Sequence, residues 1–188
     1  MELLDHLIDE QVAKKWNYFD WAEVTMAGEK VIVSRTGFTN ELGWEIYFRP
    51  ENNAEKLGDL ILNEGSKMGM IITATPSFRG RRIEAGLLSA GQDFTNETNP
   101  FTVGLGRFVD LEKEDFIGKK ALTNADKTCR SWGIRVVDGI AKKGRSIKLN
   151  NQFIGNITSS TWSPYQVCGV GIALLDTSKI GPGTVVDV

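Results

Sequence analysis

After Lys127 the apolar residues come only in runs of strand length. They read WGIRVV at 132–137, RSIKL at 145–149, QFIGNITSS at 152–160 and GVGIALL at 169–175. Gly, Asn or Pro interrupts them every several residues, so no helical stripe can build up between the breaks. Short apolar runs with regular turn punctuation are the mark of a small all-β barrel or sandwich. Residues 128–188 are therefore expected to form a C-terminal β-barrel, with a domain boundary at 112–127.

The first 111 residues have a mixed texture. Leu3, Leu4, Leu7, Ile8 and Val12 recur at helical spacing and predict a first helix ending near Lys15. Residues 22–33 alternate around MAGEK and predict a hairpin, with a further strand at 43–48 ending before Pro50. Ala54, Leu57, Leu60 and Ile61 line one face of a helix over 52–68, with Gly69 as its stop. A short strand at 70–73 and a helix through FRGRRIEAGLL at 78–88 follow. The Gly-, Asn- and Thr-rich segment 90–111 predicts a long loop with a short strand at its end. A connecting helix is expected within 112–127, in EKEDFIGKKALTNA. The fold class is thus α+β followed by a small all-β barrel.

Composition excludes several kinds of chemistry. The formal net charge is −2, which gives no reason to expect binding to nucleic acid or anionic lipid. His6 is the only histidine, and Cys129 and Cys168 are the only cysteines, far apart in sequence. That argues against a His-based metal site, a Ser-His-Asp triad and a Cys-His pair. No Gly-rich turn of dinucleotide or nucleoside type occurs, so S-adenosylmethionine is not an expected ligand. The acidic, amphipathic start is unlike a signal peptide, and no apolar run reaches the roughly 18 residues that span a bilayer. A reduced, cytoplasmic setting is the expectation.

One stretch raises a question of placement. In VIVSRTGFTNELGWEIYFR, residues 31–49, a strand-like run sets Glu45 between Trp44 and Ile46. Alternation puts Gly43, Glu45 and Tyr47 on one face and Trp44, Ile46 and Phe48 on the other, core-like face. Periodicity alone leaves the Glu45 face open to water or to a ligand. The preceding Gly-Phe-Thr-Asn-Glu-Leu-Gly segment lets a flat ligand approach the backbone. A carboxylate there suits a heterocycle with adjacent N–H donors. Glu84 reads as a helix acid paired with a neighbouring arginine. Trp44 and Trp162 read as core, with Trp162 placed to reach a domain interface.

The motifs then resemble a known family. SRTGFTNELGWEIYF at 34–48 resembles the RTGYTGEDGFEI signature of the folate-binding aminomethyltransferases, the glycine-cleavage T-protein and its relatives. RRIEAGLLSAGQDF at 81–94, EDFIGKKAL at 114–122 and IGNITSSTWSP at 154–164 resemble three further family motifs in the same order. Pro76-Ser77 and the loop DFTNETNPFTVGLGRFV lean toward the dimethylsulfoniopropionate demethylase branch. Two positions depart from the T-protein pattern. Phe78 stands where the family has an arginine that contacts folate, with Arg79, Arg81 or Arg82 as substitutes. Phe38 stands where it has a tyrosine.

What the resemblance implies is a tetrahydrofolate site. Glu45 matches the family's pterin-binding glutamate, and Phe38, Tyr47, Phe78 and Arg82 are the other candidate cofactor contacts. No catalytic residue is assigned, since the family's acidic residue near N5 would lie outside this chain. The implied reaction moves a methyl group from a small-molecule sulfonium donor such as dimethylsulfoniopropionate to N5. The alternatives are a glycine-cleavage aminomethyltransferase or a folate-binding module without chemistry. That last class carries a reactive-cysteine motif, KGCYxGQE, that does not occur here. Family members run to roughly twice this length, so residues 1–111 read as an incomplete folate-binding region. The chain then resembles the C-terminal half of a family member, with a complementing N-terminal half or a homo-oligomer as partner.

Overall fold

A computed structural model describes residues 2–9 and 15–188. The chain divides between Thr75 and Pro76 into two compact units. The first holds α1 (Glu2–Leu7), β1 (Trp21–Met26), β2 (Glu29–Ser34), β3 (Glu45–Tyr47) and α2 (Ala54–Lys67). Its three strands form one antiparallel sheet in the order β1-β2-β3. The hairpin expected at 22–33 is there. Ala27 and Gly28 form its two-residue turn with φ of 50° and 79°, the left-handed pair that matches the twist of the strands. Val24, Met26, Val31 and Val33 turn to one face and are sealed by Leu4, Leu7 and Leu57 from the two helices.

α2 lies within the span 52–68 expected for it and is capped at both ends. The Asn53 side chain accepts from the Lys56 N–H at 3.0 Å. At the other end Met68 is the C-cap and Gly69 follows at φ 79°. The Met70 side chain packs so closely on Gly65 that a Cβ there would clash with it.

Three expectations in this unit are corrected. α1 ends at Leu7 rather than near Lys15; residues 10–14 lie outside the described part. The reason is visible at Asp9, which leaves helical bonding. Its N–H donates to the Thr25 carbonyl at 2.8 Å, and its carboxylate accepts from the Gly28 N–H at 2.9 Å. Residues 70–73 form no strand, and Ile71 and Ile72 are 78% and 81% exposed. A β-rich sequence makes a strand only where a neighbour supplies the ladder. The strand expected at 43–48 contracts to β3, which leaves Phe48 exposed while Trp44 and Ile46 pack on the core.

α3 (Thr75–Glu84) crosses the division between the units, starting three residues earlier than the sequence suggested. Pro76 accounts for that start, since its fixed φ and missing N–H suit a first turn. The second unit continues with a long loop, a single 3-10 turn at Gly106–Phe108 in place of the expected short strand, and α4 (Lys119–Thr123). The connecting helix expected within 112–127 is therefore only α4. Gly118, at φ 92°, sits in a left-handed conformation that no helix can include, so the helix begins after it. The boundary read from the sequence at 112–127 falls inside this second unit.

β4 (Cys129–Val136), β5 (Ser146–Leu149), β6 (Gln152–Ser163) and β7 (Cys168–Asp176) complete it as one antiparallel sheet, ordered β4-β7-β6-β5. All four strands lie where the short apolar runs placed them. The barrel does not close among the described residues: β4 and β5 stand at opposite edges of an open sheet. Closure needs strand number, tilt and stagger to agree, which run lengths do not report. β7 is buried on both faces. Ile83 and Leu88 cover Val170 and Ile172 on one side, while Ile147, Ile154 and Ile157 pack with Ala173 and Leu175 on the other. Trp162, expected in the core, is 43% exposed. Among the described residues no helix is long and apolar enough to cross a membrane.

Candidate functional site

Strand register assembles the site. Ser34 at the end of β2 pairs with Trp21 on one side and Glu45 on the other, so all three project from the face opposite the valine core. The next row on this face is Glu23, Ile32 and Tyr47. Between β2 and β3 the chain runs out and back through residues 35–44. Arg35 closes that excursion, donating from Nη1 to the Gly43 carbonyl at 2.8 Å with its guanidinium 5.3 Å from the Trp44 ring. Trp44 in turn meets Trp16 edge to face at 5.0 Å. The excursion is thus anchored at both ends, and the strand that carries Glu45 is held in place.

Two hydroxyls orient the Glu45 carboxylate through one oxygen. Oε2 accepts from Thr36 Oγ1 and from the Tyr47 phenol, the latter at 2.9 Å. Ser34 Oγ lies 3.2 Å from Thr36 Oγ1 and extends the polar cluster. Oε1 accepts from no group among the described residues, which leaves one directed acceptor on a fixed carboxylate. The bond to Glu45 holds the Tyr47 phenol above its ordinary pKa, so Tyr47 remains a donor through the physiological range.

The five residues expected to contact cofactor divide between the units. Glu45 and Tyr47 are brought into direct contact, and Phe38 is half-buried in the excursion beside them in sequence. Phe78 and Arg82 lie on α3 in the second unit. Phe78 is 45% exposed. Arg82 is 2% exposed and engaged within its own unit. It pairs with Asp93 at 2.7 Å and donates to the Leu87 carbonyl and to Ser159 Oγ, each at 2.8 Å. Asp93 is further bonded by Thr158 Oγ1 at 2.6 Å and by the Ser89 N–H at 2.9 Å. Glu84 pairs with Arg81 at 3.1 Å and accepts from Ser163, the structural role expected of it. Thr36 and Ser34 were not singled out in the sequence. Their signal was available, because Ser34 precedes the excursion on the parity that register later gave Glu45.

A family model described as the GCVT N-terminal domain matches residues 1–113, more than half of the chain. The chain belongs to the GCVT family. Its GCVT relatives include an aminomethyltransferase of Caldanaerobacter subterraneus subsp. tengcongensis, 34% identical over an alignment covering 100% of this chain and 51% of the relative. An aminomethyltransferase of Bacillus subtilis is 33% identical, covering 99% of this chain and 52% of the relative. The chain therefore spans about half the length of the curated relatives it matches. Among solved structures, the glycine cleavage system aminomethyltransferase T from Bartonella henselae superposes with a TM-score of 0.70. It is 24% identical, over 83% of this chain and 44% of that one. That likeness supports the GCVT fold: mixed helices and antiparallel sheets.

Proposed function

We propose that this chain supplies the pterin-recognition part of a tetrahydrofolate-dependent aminomethyltransferase of the glycine-cleavage type. The observation that carries the proposal is a Glu45 carboxylate fixed through Oε2 by Thr36 and Tyr47, whose Oε1 accepts from no group among the described residues. The 2-amino and N3–H groups of a pterin are adjacent donors; with Oε2 engaged by the two hydroxyls, Oε1 accepts from that donor edge, and a charge-assisted bond is stronger than a neutral one. Tetrahydrofolate, when bound, supplies N5 as the nucleophile that takes up a one-carbon unit. The residues described here bind and orient: Glu45 accepts from the pterin, Tyr47 and Thr36 hold Glu45, and Phe38 supplies flat apolar surface.

The name shared by the relatives favours the aminomethyl donor over the sulfonium donor that the motifs around Pro76-Ser77 first suggested. Because those relatives are about twice as long, the remaining parts of the catalytic centre are assigned to a complementing half. Calorimetric titration of the chain with tetrahydrofolate and with S-adenosylmethionine tests the proposal. Binding of the folate alone is expected; binding of S-adenosylmethionine without a folate response overturns it. Turnover assays with the complementing half present, offered an aminomethyl or a sulfonium donor, separate the two chemistries.

A further inference from the structure

β1 opens on a group of aromatic side chains that the fold leaves uncovered. Trp21 is 64% exposed and Phe19 73%. Phe19 adopts φ 70°, a conformation that bulky residues rarely take. Its ring meets that of Tyr18 edge to face at 4.5 Å, and its N–H donates to the Arg35 carbonyl at 3.1 Å, beside the excursion that leads to Glu45. Single exposed aromatics are ordinary. This one shares a row with the acceptor: Trp21, Ser34 and Glu45 are register partners on one face. Two strand spacings separate Trp21 from Glu45, about 10 Å, and the small Ser34 side chain lies buried between them, within reach of the Asp20 carbonyl and Thr36. The row thus presents an apolar end, a low middle and an anionic end.

We infer that Trp21 is a ligand-binding residue of the Glu45 site, its indole contacting the part of a bicyclic heterocycle opposite the edge that Glu45 holds. The inference rests on the proposed pterin reading and adds a wall to it. Side chains stand roughly perpendicular to a sheet, so a flat ligand lying over Ser34 meets the carboxylate at one end and the indole at the other. Trp21 then favours ligands long enough to span the row over single-ring donors.

The full chain is titrated with 5-formyltetrahydrofolate, a stable reduced folate, alongside Trp21→Ala, Trp21→Phe, Glu45→Gln and, as a control in the second unit, Trp162→Phe. Trp21→Ala is expected to weaken binding about tenfold, and Trp21→Phe to retain most of the affinity. Ligand-induced quenching of tryptophan fluorescence should largely vanish in Trp21→Phe and persist in Trp162→Phe, a readout that survives if Trp21→Ala folds poorly. Parental affinity in Trp21→Ala, or undiminished quenching in Trp21→Phe, overturns the role of Trp21 while the pterin reading stands. No binding by the parent chain overturns both.

Discussion

A carboxylate with one oxygen tied by two hydroxyls cannot swing to follow its ligand, so its free oxygen acts as a directed acceptor. At Glu45 the donors are Thr36 and Tyr47. Glu45→Gln keeps the shape, removes the charge and sets an NH₂ group against either these hydroxyls or the ligand's own donors. The expected loss in reduced-folate affinity is roughly 1.5–3 kcal/mol, the range for hydrogen bonds to charged groups. Thermal melts should barely move, since the side chain lies opposite the valine core. In the same variant the Tyr47 phenol, held above its ordinary range first by its bond to Glu45, should titrate at lower pH by ultraviolet absorbance. Unchanged folate binding in Glu45→Gln would show that this acid serves the fold alone.

At the scale of elements, α3 is tied to the C-terminal sheet through a buried ion pair. Arg82 and Asp93 connect α3, the loop after it and β6, with Asp93 accepting from Arg82, the Ser89 N–H and Thr158. Breaking a buried pair by deleting one partner leaves an uncompensated charge, so Asp93→Ala should cost roughly 3–5 kcal/mol in denaturant unfolding. Burial pushes the Asp93 carboxyl upward, but bonds from Ser159, Thr158, the Ser89 N–H and Arg82 outweigh it and hold the group below its usual range. A lowered native pKa means that the unfolded chain binds the proton first. The stabilisation is therefore present above about pH 4, the unfolded value, and is lost as pH falls through the native one. Urea midpoints followed downward from pH 6 should drop for the parent and show a flatter acid limb in Asp93→Asn. The same engagement explains why Arg82, a candidate folate contact by sequence, has its donors directed into its own unit.

Over the whole molecule two cores are built from different parts of the chain. The first joins α1, α2 and the β1–β3 sheet around Leu57, Val31 and Val33; the second wraps both faces of β7. Leu57 has no exposed surface and is the buried contact of α2 on its sheet. Leu57→Ala should cost roughly 2–5 kcal/mol. Hydrogen exchange should locate the damage: amides of β1 and β2 lose protection, while those of β6 and β7 keep theirs. Equal loss in both units would mean that the chain unfolds as one cooperative body.

Sequence alone determined what local physics governs. Strand-length runs placed β4 to β7, the MAGEK turn placed the first hairpin, and the helical stripe with Gly69 as its stop placed α2, because turn geometry, helix termination and periodicity act within a few residues. The Glu45–Tyr47 face was equally legible, since alternation in a strand needs no knowledge of the partner. Tertiary structure decided what depends on a distant neighbour. Among the described residues, 70–73 pair with no strand, and the C-terminal sheet stays open because β4 and β5 do not pair. Arg82 went inward because Asp93 and Ser159 were there to meet it. Trp21, Ser34 and Glu45 became one row only through register, which is a property of paired strands rather than of any one of them.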